Sequence, residues 1–137
     1  MRSLVLTVFL ALAGVSLADL ITKKHAPLLG GWTEADPTSN TIYFQLANFA
    51  ASSQTEGLEY YYTVTKVTKA RRQVVAGMNY ELTMKVVPST CKIAETLYSE
   101  SLCEPQDNAE EQECVALIYT ALPSRRLPPR ITSFYCH

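Results

Sequence analysis

Three patterns of apolar and polar positions divide the chain. A continuous apolar run over residues 4–17 follows a basic start at Arg2. From Ile42 onward, apolar residues recur at helical spacing, at Leu46, Phe49 and Ala50, which marks a helix with one oily stripe. Asp36 before Pro37 offers an N-cap and a first helical position, so an amphipathic helix is predicted over 37–53, ended by the polar stretch from Ser52 to Gly57. Beyond it the period changes to two. Tyr60, Tyr62 and Val64 alternate with polar partners, and Met78, Tyr80, Leu82, Met84 and Val86 alternate with Asn79, Glu81, Thr83 and Lys85. One oily face per strand predicts antiparallel strands over 60–72 and 78–87, laid against the helix. Two further strands, 114–122 and 130–135, flank "PSRRLPP". The fold class is therefore α+β, a hairpin sheet wrapping one helix.

The opening apolar run is about 14 residues long, short for a membrane span, and ends in Ser16 and Ala18 at the −3 and −1 positions of a cleavage site. It reads as a secretory signal peptide over 1–18, leaving a single domain over 19–137 in an extracellular setting; no membrane partner is expected. The chain carries 12 Lys and Arg, one of them Arg2, against 13 Asp and Glu. A mature charge near −2 argues against nucleic acid as a partner.

Exported chains meet an oxidising compartment, which changes the meaning of four cysteines. Cys91, Cys103, Cys114 and Cys136, spaced by 12, 11 and 22 residues, read as two disulfides. Sequential pairing is the simplest arrangement, but spacing alone admits three. If Cys114 faces Cys136 across a plain hairpin, Arg125 falls at its tip and Leu122 opposite Pro128. There is no Cys-x-x-Cys, and His25 and His137 are the only histidines, so neither zinc nor any other metal or cofactor is expected. Glu104, Asp107, Glu110, Glu111 and Glu113 read as a solvated loop with room for a short helical turn.

Candidate catalytic groups are sparse. A nucleophilic cysteine needs a free thiol with a histidine in reach. Carboxylates gathered in one exposed loop have nothing to raise a pKa, and no phosphate-binding or dinucleotide fingerprint is present. The chain does not read as an enzyme.

Three segments with exposed apolar or small residues remain that packing does not demand: "PLLGGW" before the helix, "QVVAG" between the first two long strands, and "LPSRRLPP" between the last two. Each has a structural reading. Leu28 and Leu29 can tuck into a core, Val74 and Val75 can pair across a turn, and the prolines can block edge pairing. Together, in a hairpin sheet around one helix, they can share one end, and an apolar edge on a secreted monomer is a binding surface.

The residues in these segments resemble the secreted, two-disulfide cystatins, inhibitors of papain-like cysteine proteases, including salivary members from blood-feeding arthropods. The resemblance runs over essentially the whole mature chain. It rests on Gly30 and Gly31, on a Gln-x-Val-x-Gly motif at Gln73, Val75 and Gly77, on "NYELTMKV" after it, on four cysteines in order, and on "IYTALP". It implies a five-stranded antiparallel sheet around one long helix, with Cys91 bonded to Cys103 and Cys114 to Cys136. It also implies a wedge made of an N-terminal arm and two hairpin tips that blocks the cleft of cathepsin L- or S-type proteases reversibly. In that wedge Leu28 and Leu29 fill the S3 and S2 subsites, Gly30 and Gly31 let the arm bend, and Val74, Val75 and Ala76 press on the cleft walls. Pro123 and Ser124 occupy the second tip. Many cystatins have Trp where Ser124 stands, so that tip lacks its usual aromatic anchor, and Trp32 reads as a core or flank residue rather than a substitute. The loop after the helix carries Gly57 where legumain-inhibiting members have Asn. A monomer is expected, with exchange of the segment around the first tip as a route to a dimer. The alternative function is a cystatin-fold binding module without inhibition.

Overall fold

The computed structural model describes residues 30–137. Leu28, Leu29 and the predicted signal segment lie outside these residues. Trp32–His137 form one unit, and Gly30 and Gly31 belong to the segment before it. The unit runs β1 (Trp32–Ala35), α1 (Thr41–Ser52), β2 (Tyr60–Val75), β3 (Gly77–Lys92), β4 (Gln112–Thr120), a 3-10 turn (Pro123–Arg125) and β5 (Arg130–Cys136). The five strands form one antiparallel sheet in chain order, as the resemblance implied.

The helix begins later than predicted. Asp36 caps a turn instead: its Oδ1 accepts from the Thr38 N–H at 2.9 Å and the Thr38 hydroxyl at 2.8 Å, and the Ser39 N–H donates to the Asp36 carbonyl at 3.0 Å. The two bonds from Thr38, its N–H first and then its hydroxyl, hold the Asp36 carboxyl below its ordinary pKa. Proline suits the second position of such a turn as well as it suits a helix start. The N-cap is Asn40, whose Oδ1 accepts from the Ile42 N–H at 3.0 Å. At the far end the Phe49 carbonyl accepts both the Ser53 N–H at 3.1 Å and the Ser53 hydroxyl at 2.6 Å.

The buried stripe also differs from the predicted one. Tyr43, Leu46, Ala47, Ala50 and Ala51 face the sheet, while Ile42 and Phe49 are 36% and 40% exposed. Both stripes have helical period and share Leu46 and Ala50. The three alanines decide between them, because small side chains let the helix sit close to the sheet. Against this face pack Val64, Val67 and Ala70 of β2, Leu82, Met84 and Val86 of β3, and Cys114, Ala116 and Ile118 of β4.

Simple alternation fails on β2: Tyr61 and Thr63 are buried rather than Tyr60 and Tyr62, and the buried Val64, Val67 and Ala70 are three apart. Register shifts between Val64 and Lys66 and between Val67 and Lys69 insert extra residues, which bend the strand. Beside the first shift, the Val64 N–H donates to Asn48 Oδ1 of the helix at 3.1 Å. Asn48 Nδ2 donates in turn to the Tyr98 hydroxyl at 2.8 Å, which lies 3.0 Å from Thr63 Oγ1. A buried polar side chain is thereby satisfied.

Both disulfides join the cysteines in sequence order, Cys91 with Cys103 and Cys114 with Cys136. Cys114 and Cys136 are cross-strand partners, and the predicted plain register holds from there to Leu117 opposite Ser133. A shift then leaves Ile118 opposite Ile131, so Arg125 is not the centre of a regular tip and Leu122 does not pair with Pro128. The acidic stretch is exposed but tethered. Ser89 bridges Pro105, and the Thr90 N–H donates to the Glu104 carbonyl at 2.8 Å. Glu113 belongs to β4 and pairs with His137 at 2.9 Å.

Asn40→Ala is expected to lower stability in urea unfolding by about 1 kcal/mol. No loss would return the helix start to Pro37.

Candidate functional site: two hairpin tips at one end of the sheet

The first tip is as short as a hairpin allows. β2 runs through Val75, β3 starts at Gly77, and Val75 lies opposite Gly77 with Ala76 turning the chain. Strands this long on both sides leave the tip little freedom. Val74 is 67% exposed and Val75 38% exposed, and Ala76 is exposed too, so three small apolar residues project into solvent. Below them Gln73 faces Asn79 across the ladder, and Asn79 Nδ2 donates to Gln73 Oε1 at 3.0 Å. Gln73 is thus half-buried at the neck of the hairpin.

Gly77 is required twice over. Its φ of 121° lies in the region that L side chains rarely adopt, and a Cβ there would stand 2.3 Å from the Thr120 carbonyl oxygen and 2.9 Å from the Tyr119 hydroxyl. The close approach is therefore made to β4 within the molecule. Tyr119 donates its hydroxyl to the Ala76 carbonyl, and the Arg130 guanidinium lies over the Tyr119 ring, 5.4 Å from its centre.

This contact fixes the second tip beside the first. Met78 pairs with Thr120, and the chain leaves β4 there; a cleft between the two tips is lined by Gly77, Met78, Thr120, Ala121, Leu122 and Pro123. The second tip is a 3-10 turn closed by the Arg125 N–H on the Leu122 carbonyl at 2.9 Å, with Arg126 at φ 50°. Pro123 and Ser124 are exposed on it. Leu122 and Leu127 flank it at 49% and 59% exposure, and Arg125, Arg126 and Arg130 make it basic. Beneath the tips, burial first and then Tyr43 push the Tyr80 phenol above its ordinary pKa.

β1, which periodicity did not foresee, begins with Trp32 opposite Gln73. The Trp32 ring lies under the Arg71 guanidinium at 5.2 Å and is 36% exposed, a flank position. Arg71 also bridges to Glu81 at 3.0 Å. Gly30 has φ 78°, and nothing lies within 4 Å of a Cβ built on Gly30 or Gly31. The structure thus brings Gln73, Val74, Val75, Ala76 and Gly77 together with Pro123 and Ser124. All four cysteines are oxidised.

Sequence reasoning missed Tyr119 and Thr120. The available signal was alternation: with Ile118 buried, Tyr119 points to the opposite face, where an aromatic next to a hairpin tip needs a partner.

Residues 30–122 match the cystatin domain family. Cystatin-1 of Ornithodoros moubata is 48% identical over 135 residues, which cover 98% of this chain and 97% of that protein. Among solved structures, the salivary cystatin of the soft tick Ornithodoros moubata superposes with a TM-score of 0.74 at 47% identity, covering 80% of this chain and 99% of that one. Mialostatin, a gut cystatin of the hard tick Ixodes ricinus, superposes at 0.72 with 42% identity, covering 78% and 97%.

Gly77→Ala is expected to destabilise the protein by about 3 kcal/mol in urea unfolding, from positive φ and the clash with Thr120. Unchanged stability would mean that the tip is free to leave β4.

Proposed function

This chain belongs to the cystatin family, and from that premise we propose that it is a reversible, tight-binding inhibitor of papain-like cysteine proteases of the cathepsin L and S type. The observation that carries the reading is the pair of adjacent tips, the first of which exposes Val74, Val75 and Ala76 on a hairpin held rigid to its end. Small apolar side chains on a narrow edge suit a groove. Their burial contributes roughly 25 cal/mol per Å² before association costs. A tip already fixed by its strands loses little entropy on binding.

The wedge fills the cleft without offering a peptide bond to the protease thiolate, so the inhibitor leaves uncut. Leu28 and Leu29 enter the S3 and S2 subsites, and Gly30 and Gly31 give the arm its bend. As a member of a family of protease inhibitors, the protein blocks a reaction in this reading rather than catalysing one. Gly57 in the loop after the helix leaves legumain uninhibited. The signal segment 1–18 directs secretion, and the mature domain over 19–137 acts as a monomer.

The second tip supports a weaker grip. Ser124 is small and polar, and truncated aromatic anchors commonly weaken interfaces. That feature favours the second reading, a cystatin-fold module that binds something other than a protease.

Titration against papain, cathepsin L and cathepsin B separates the two readings; inhibition of at least one at nanomolar concentration is expected, and no inhibition at micromolar concentration leaves the second. Val75→Asp is expected to weaken inhibition by about 2 kcal/mol or more through an unpaired charge in the cleft; equal inhibition would remove the first tip from the wedge. Deleting residues up to Leu29 from the mature protein is expected to raise the inhibition constant most for proteases with selective S2 pockets, and an unchanged constant would show the arm to be idle.

A further inference from the structure

We propose that Tyr119 is a positioning residue for protease inhibition, which braces the first tip against the second hairpin so that both enter the cleft as one body. The proposal rests on the inhibitory reading above and adds a residue that touches no protease in that reading. Val75, Ala76 and Gly77 form the turn, and the outward carbonyl of Ala76 has no strand partner in the ladder, whose last pair is Val75 with Gly77. The Tyr119 hydroxyl, 43 residues further along, donates to that carbonyl. Gly77 leaves the space in which the hydroxyl sits, since a Cβ would stand 2.9 Å from it.

The brace is itself held from behind. Tyr119 pairs with Asn79 on one side and with Arg130 on the other, and the Arg130 guanidinium lies over its ring. A cation there draws on the ring face and restricts its rotation. Thr120, the next residue, donates its hydroxyl to the Met78 carbonyl at 3.4 Å. Two consecutive residues of β4 thus hold the apex of the turn and the first residues of β3 behind it. Without the hydroxyl, the tip would keep its strands but gain freedom at Ala76, and ordering that freedom on binding weakens the complex.

Tyr119→Phe removes only the hydroxyl and keeps the ring under Arg130. Because the contact lies at the surface, melting temperature should stay within about 2 °C. Stopped-flow kinetics with papain should show dissociation roughly fivefold faster and association within about twofold of wild type. Amide hydrogen exchange of the free protein should quicken at residues 74–77 and remain unchanged at residues 80–92 of β3 and at α1. Unchanged dissociation with unchanged exchange at the tip would overturn the proposal. So would a loss of melting temperature with exchange accelerated throughout the sheet, which would make Tyr119 a general stability residue. If wild type fails to inhibit papain, cathepsin L and cathepsin B, the inhibitory reading fails and the positioning role with it; exchange at residues 74–77 then still tells whether the brace exists.

Discussion

The placement of the two tips depends on how closely one short helix can approach a curved sheet. Ala47, Ala50 and Ala51 are fully buried, and their small side chains bring the helix down onto Leu82, Met84 and Val86. A flat sheet could not close around it. The irregularities in β2 supply the bend, and Asn48 bonds the Val64 amide beside the one between Val64 and Lys66. Packing, bend and buried amide are therefore one device, and a buried amide left unbonded would cost stability.

The same economy of volume recurs at the tips. Gly77 lets two hairpins meet where any side chain would collide with the Thr120 carbonyl. The core anchors β2, β3 and β4 at mid-length, and the strands carry that order outward to Val75 and Thr120. The valines at the end are then exposed on strands paired up to the turn, an arrangement that lowers the entropy cost of burying an apolar surface on binding.

Much of this was legible in the residues, and the misses share a cause. The helix, the four longer strands and the order of the disulfides followed from period, composition and resemblance. The helix start did not, because Asp36 and Pro37 have the same chemistry in a turn as at a cap. Its buried stripe was displaced because Ile42 and Phe49 are as periodic as the alanines, and only contact with the sheet chooses between them. On β2 the bulges break the alternation at Val64, Val67 and Ala70. β1 is four residues of edge strand, "WTEA", with no alternation to read. At the site, "QVVAG" declared itself by the absence of charge, whereas its tie to Tyr119 spans 43 residues and becomes visible only when β3 pairs with β4.

If the two tips together form the surface that meets a protease, amide hydrogen exchange of the protein in complex with papain will show new protection concentrated at residues 73–77 and 120–125, with the chain recovered intact. Protection centred instead on the far end of the sheet, around Leu58, Tyr62 and Gln112, or cleavage within the first tip, would contradict it.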